Sequence, residues 1–266
     1  MATMAELRER VQRIYDTAPL RPMPEFPPPP DRFLAPERFA DAIADAVLDH
    51  SAKVIHPFIL RLMRGEYTWR QLQAWAKEGF HDKVQTIRND AMIVATAATL
   101  DEMKKQARVV ASEAGVDGAG DSHPELWLRF GEGLGLTRDE ITNSEPTPLT
   151  QVILEAERYR SLSQRIGGLP ANMRMGERVS SIVFPMWGWA LVEKYGVPRE
   201  ATVWFQAHEE ADEDHSQIGR EIIISRATTL EVQREIWLHH KRSQAKQWLS
   251  YDAYQQAVMA AESAAV

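Results

Sequence analysis

The sequence predicts an all-α fold, a bundle of helices, on three observations. Apolar residues recur at helical spacing from Ala35 to the end of the chain. Side-chain caps open one run after another. No period-2 stretch announces a sheet. With 266 residues, 44% of them hydrophobic, the chain can bury a substantial core as one helical domain.

Residues 4–16 read as a short charged helix. Pro19, Pro22, Pro24 and Pro27 to Pro30 then impose an extended arm, because proline fixes φ and removes a backbone donor. This arm reads as a surface strap, so residues 1–34 form an N-terminal helix with a Pro-rich arm and 35–266 a single helical domain. About eight helices are expected there, at roughly 36–64, 68–97, 100–114, 122–134, 148–166, 170–195, 198–225 and 229–263. Thr99 with Glu102, Thr137 with Glu140 and Thr228 with Glu231 each fit a capping box, and Thr68 opens a long helix in the same manner. Gly115 with the Gly118 to Gly120 loop, Gly167 and Gly168 before Pro170, and Gly196 before Pro198 supply the stops.

The net charge of −7 gives no basic surface of the kind that neutralises phosphates, so nucleic acid is not expected as a partner. No window approaches the roughly 20 apolar residues of a membrane span, and the first residues lack the apolar core of a secretory signal. A cytoplasmic protein with no membrane partner is expected. With no cysteine, there is no thiolate nucleophile or ligand, and any metal must be held by His, Asp and Glu.

The segment from Trp204 to Ile223 carries the most chemistry. At about 100° per residue, His208, Asp212 and His215 project from one strip of helix, which also holds Trp204, Ala211, Ile218 and Ile222. Glu209, Glu210, Glu213 and Asp214 lie mostly off it, toward water. Burying two imidazoles and a carboxylate among apolar groups is costly unless they are paired, and a divalent cation satisfies all three. An aspartate bridging two core histidines without metal is the plain alternative. The donor set suits iron, manganese or zinc. Glu113 and His123 form a second candidate pair, flanking a Gly-rich loop that can fold them together.

Segments 56–76, 78–93, 111–141 and 208–215 resemble the heme-oxygenase-like superfamily, and most of all pyrroloquinoline quinone synthase C, the chlamydial death-domain-associating protein and the heme-oxygenase-like diiron oxidases. The likeness covers most of the chain after Ala35. In the diiron branch, iron is bound by a Glu and a His flanking a loop and by a His-x3-Asp-x2-His helix. The resemblance thus assigns Glu113, His123, His208, Asp212 and His215 as ligands, and the cofactor-free quinone synthase branch lacks the first of these last histidines. A further carboxylate is open between Glu78, Asp82, Asp90 and Glu177. Gln85 stands near where a Glu is expected, and Ser181 sits where relatives can have the acid.

Lys83 and His81 are candidate catalytic side chains, and Lys83 with Arg88 can bind a substrate carboxylate. His56 is as ambiguous as His81. Phe80, Trp187, Trp189 and Trp204 are candidate cavity walls. The implied activity is an O2-dependent nonheme iron oxidase or oxygenase. It would carry two Fe2+ per chain, act on a small amino-acid-like or aromatic metabolite, and form a homodimer as relatives often do. The rivals are a cofactor-free oxidase like the quinone synthase and a non-catalytic binding or scaffold protein. A hydrolase of the thiaminase type normally wants the cysteine that this chain lacks.

Overall fold

The structure is a computed structural model, and it describes residues 3–116, 120–163, 165–166, 169–170 and 175–263. Side chains at 163, 165, 166, 169, 170, 175 and 209–214 are outside that description. Its order is α1 (Met4–Thr17), α2 (Pro36–Asp49), α3 (Ala52–Ile55), α4 (Pro57–Arg64), α5 (Trp69–Thr96), α6 (Leu100–Ala114), α7 (His123–Gly133) and α8 (Arg138–Thr142). Then follow α9 (Pro148–Ser163), α10 (Met175–Tyr195), a 3-10 turn (Arg199–Thr202), α11 (Val203–Arg226) and α12 (Leu230–Ser263). A two-residue antiparallel pair, Arg165–Ile166 with Leu169–Pro170, is the strand pairing among the described residues.

The fold class is as the periodicity predicts, but beside the expected α1 the described residues after Ala35 form eleven α-helices rather than eight. Three come from the stretch expected as one helix over 36–64. The Ser51 side chain caps the start of α3, and His56 accepts from the Phe58 amide just before Pro57. A proline removes the amide that a continuing helix needs, so the run breaks and restarts there. That split adds two helices, and the third addition is α8, opened by a full capping box of Thr137 with Glu140. At α12 the cap is Thr229 rather than Thr228, its hydroxyl accepting from the Val232 amide at 3.2 Å. The expected start of a helix at 170 falls next to residues 171–174, which lie outside the described residues.

α5 is the spine of the bundle, packed against α6, α7, α9 and α12, while α10 lies along α11 on the other side. The centre is aromatic. Trp75 of α5 meets Trp127 and Phe130 of α7 edge-on at 5.5 and 5.3 Å between centroids, and Trp127 meets Trp204 of α11 at 4.8 Å. Edge-to-face contacts of this kind add about 1 kcal/mol each beyond the area they bury. The Trp127 indole donates to the Ala76 carbonyl at 2.8 Å, which ties α7 to α5 beneath the cavity.

The N-terminal segment packs on this body. α1 buries Leu7, Val11 and Tyr15, and the Tyr15 hydroxyl donates to the Lys53 carbonyl and accepts from the Trp187 indole. Along the Pro-rich arm, Phe26 is buried against Trp237, whose indole donates to the Pro27 carbonyl at 2.8 Å.

Candidate functional site

The turn between α6 and α7 brings the first two candidate side chains together. Gly115 ends α6 with φ +67°, and a Cβ there would meet the Gly120 carbonyl and the Ser122 amide at 2.6 Å. Glycine is thus required for the chain to double back on itself. Ser122 caps α7, Pro124 occupies its first turn, and His123 faces the last turn of α6. The result is a buried contact of 2.5 Å between His123 Nδ1 and Glu113 Oε2. An acid at a helix C-terminus opposes the helix dipole, so this position is held by its partner rather than by local preference.

α11 supplies the neighbouring imidazole. The His208 ring lies 4.3 Å from that of His123 and 5.0 Å from Phe184 of α10. Its Nδ1 lies 2.6 Å from the Trp204 carbonyl one turn back, an arrangement that requires the proton on Nδ1 and leaves the Nε2 lone pair free of it. Burial, then the neighbouring His123, holds His208 well below the ordinary imidazole range, so it stays neutral. Farther along α11, His215 Nδ1 is 3.4 Å from Glu177 Oε2 of α10. Asp212 lies between the two histidines on α11, with its side chain outside the described residues. Among the described residues, no three His, Asp or Glu side chains close into a single metal cage.

A cavity of about 250 Å³ is bounded by Glu113, His123 and His208 together with side chains from α3, α5, α9, α10 and α12. Trp75, Trp127, Phe184, Trp187 and Trp204 contribute apolar wall. Lys83 Nζ sits over the rings of Trp127 and Trp204, at 4.8 and 4.7 Å from their centroids, and pairs with Asp82 at 3.1 Å. Desolvation pushes the Asp82 carboxyl upward, but the charges of Lys83 and Lys246 outweigh it and hold the group below its ordinary value. Tyr254 shares a hydrogen bond with Asp82, and burial raises its phenol well above the usual range. Toward α9 and α12, Glu157 pairs with Arg160 at 2.8 Å and with Lys246 at 3.0 Å. Burial opposes ionisation of Glu157, yet the two cations lower its carboxyl to about 2.

The structure divides the sequence candidates. Glu113, His123, His208, Glu177, Asp82, Asp90, Lys83, Trp187 and Trp204 border the cavity, and His215 reaches it through Glu177. His81 does not. Its Nε2 is 3.1 Å from Ser144 Oγ, and with Phe80 and Arg88 it borders a separate outer pocket, because adjacent helical positions are turned by about 100°. Trp189 is 56% exposed and walls nothing inside. His56 caps α4 and pairs with Asp252 at 3.1 Å. Sequence reasoning missed Lys53, Glu157, Arg160, His239 and His240, all on the cavity lining. In the run Leu238 to Lys246 the histidines look like part of a basic surface, and they are buried where α12 packs against other helices, α5 and α9 foremost.

The sequence profile of a family described as iron-containing redox enzymes matches residues 73–247, a span that runs from α5 to the middle of α12. The chain belongs to that family. Its curated relatives include the pyrroloquinoline-quinone synthase of Klebsiella pneumoniae, 29% identical over 50% of this chain and 51% of the relative. A 4-aminobenzoate synthase of Chlamydia pneumoniae is 24% identical over 68% of this chain and 80% of the relative. The chain thus spans about half the length of the quinone synthases it matches. A heme-oxygenase-like fold is shared with solved structures. A CADD-like protein of Nostoc punctiforme has a TM-score of 0.66 at 14% identity, covering 84% of this chain and 98% of that one. A heme-oxygenase-like domain from Shewanella denitrificans has a TM-score of 0.63 at 18% identity, covering 83% and 90%. Among the described residues, no helix is long and apolar enough to cross a membrane.

Proposed function

We propose that this chain is an O2-dependent nonheme iron oxidase or oxygenase acting on a small amino-acid-like or aromatic metabolite. Iron is held by Glu113, His123, His208, Asp212 and His215. The observation that carries the reading is the buried Glu113–His123 contact at 2.5 Å, set against a neutral His208 whose Nδ1 is fixed by a backbone carbonyl. That tether is the usual support for an imidazole that binds metal through Nε2. The donor set of imidazoles and carboxylates without sulfur fits iron. Membership in a family of iron-containing redox enzymes supports the same choice. For the further carboxylate, Glu177 is favoured over Asp82 and Asp90. Its Oε2 lies beside His215, whereas Asp82 is engaged by Lys83 and Tyr254.

When bound, ferrous iron supplies electrons to O2 and so provides the oxidising step. The chain's own part is to shape and dry the space beside it. Phe184, Trp127, Trp187 and Trp204 exclude water and offer flat apolar surface to a ring. Lys83 holds a proton at Nζ, steadied by Asp82 and by two indole faces, and is the group placed to deliver it to a reduced oxygen or a substrate anion. His81, facing the outer pocket, has no part in this step.

Oxygen uptake by the iron-loaded protein, screened across small aromatic and amino acids with and without a chelator, tests the reading. Metal-dependent uptake that disappears in His208→Ala is expected. A second reading, a cofactor-free oxidase, is favoured by the similarity to quinone synthases. Uptake undiminished by chelation would establish that reading instead.

A further inference from the structure

The seam between α5 and α9 has a cavity on each side. Asn89 of α5, with Glu157 and Arg160 of α9, borders the central cavity. Val84 and Gln85 of α5, with Leu154 and Arg158 of α9, border the outer pocket, about 450 Å³ in volume. A chain of polar side chains crosses from one to the other. Arg158 Nε donates to Gln85 Oε1 at 2.9 Å, and Gln85 Nε2 donates to Asn89 Oδ1 at 2.8 Å. Gln85, in the middle of this chain, is 2% exposed. Its amide is bonded on both sides, yet it closes the seam with contacts that water can replace.

α9 has little apolar anchoring. Ile153 is its one buried apolar side chain among the described residues, while Val152, Tyr159 and Leu162 are each more than half exposed. α10, which walls the same cavity, buries Val179, Ile182, Val183, Phe184, Trp187 and Leu191. Buried apolar surface is what makes an element costly to displace, whereas water replaces the hydrogen bonds of an exposed guanidinium at small net cost. The firmer ties of α9 lie away from Arg158. Glu78 accepts from the amide and the hydroxyl of Thr147 just before the helix, and Glu157 pairs with Lys246 of α12 at 3.0 Å. Those two hold α9 in place while its α5 side parts, as befits an element from the low-stability end of a structure.

We propose that the α5–α9 seam is a gate through which small neutral molecules pass from the outer pocket to the central cavity, with Arg158, Gln85 and Asn89 as its latch. The outer pocket is the vestibule. Phe80, Val84 and Leu154 give it apolar wall, and Arg158 stands where it meets the seam. When the Arg158 guanidinium turns to water, Gln85 loses its partner on α9 and the seam opens toward the tryptophans of the central cavity. Reclosure keeps bulk water out of that space. The gate is a property of the chain's own packing and is independent of whether iron is bound.

Acrylamide quenching of tryptophan fluorescence in the metal-free protein tests this directly. Trp75, Trp127, Trp187 and Trp204 border the central cavity and report on entry. Trp69 and Trp189, 40 and 56% exposed, are first replaced by phenylalanine so that they do not mask the signal. In that background, Arg158→Ala should raise the quenching constant at least threefold with an unchanged far-ultraviolet circular dichroism spectrum. The chain has no cysteine, so Glu155→Cys places a single thiol on the outer pocket for coupling to N-cyclohexylmaleimide. Coupling should halve the quenching constant or lower it further, and should also reverse the rise in Arg158→Ala, whereas the same label on an exposed Gln256→Cys of α12 should change nothing. Quenching unchanged in folded Arg158→Ala would overturn the latch. No effect of the label at Glu155→Cys, or a rise that persists after labelling, would show that acrylamide enters elsewhere and would overturn the gate.

Discussion

Glu157→Gln isolates the electrostatics of the α9–α12 wall. Glu157 has its side chain 8% exposed and is bonded to Arg160 and Lys246, and those cations lower its carboxyl from an ordinary 4.5 to about 2. A group with a depressed folded pKa adds stability that is complete above its unfolded value and disappears as the pH falls through its folded value. The displacement corresponds to about 3 kcal/mol at neutral pH. Less than half of that, on the order of 1 kcal/mol, is left at pH 3. The amide keeps the volume and removes the charge, leaving Arg160 and Lys246 facing each other. Urea unfolding of both proteins at pH 7 should show a loss of order 3 kcal/mol in the variant, and the gap should narrow steadily as the pH approaches 3. A gap that is the same at both pH values would show that packing rather than charge is responsible, and no gap at pH 7 would refute the reasoning outright.

Other outcomes follow from the same structure. The wild-type protein should lose stability as the pH falls from about 6.5 to 4. His56 and His240 are each lowered to about 4, mainly by burial, so the unfolded chain takes up protons that the folded one does not. A urea midpoint flat across that range would contradict this. Gly79→Ala should destabilise by about 1–3 kcal/mol despite the better helix former, because its Cβ would meet Trp127 Cζ2 at 2.5 Å. A raised urea midpoint would show that the α5–α7 contact is looser than described. Tyr15→Phe removes one bond donated to the Lys53 carbonyl and one accepted from Trp187, and should cost about 1–2 kcal/mol with activity retained. An unchanged melting temperature would mean that α1 docks by apolar contact alone.

Helices whose limits are written in local chemistry were legible before any coordinates. Thr68 with Gln71 and Thr137 with Glu140 form full capping boxes, and Gly115 takes the left-handed turn that a stop requires. Pro57 was equally local and was read over, because the apolar spacing continues through it and periodicity masks a break of one residue. The candidate ligand helix was legible because three polar groups on an apolar strip violate the usual pattern. Tertiary contact decided the rest. His81 and Lys83 are two residues apart in sequence, yet one faces Ser144 and the other two tryptophans, and nothing local says which face of α5 is covered. His239 and His240 sit in a stretch rich in Lys and Arg, and their burial depends on helices far earlier in the chain, α5 and α9 foremost.

The central claim is that imidazoles and carboxylates from α6, α7 and α11 enclose iron. Quantifying iron in protein reconstituted anaerobically with ferrous ion and then desalted tests it most directly, with His208→Ala and His123→Ala prepared in parallel. About two irons per wild-type chain, falling to one or none in either variant while the far-ultraviolet spectrum is unchanged, is the result predicted here. Folded wild-type protein that retains no iron, or variants that retain as much as the wild type, would contradict it.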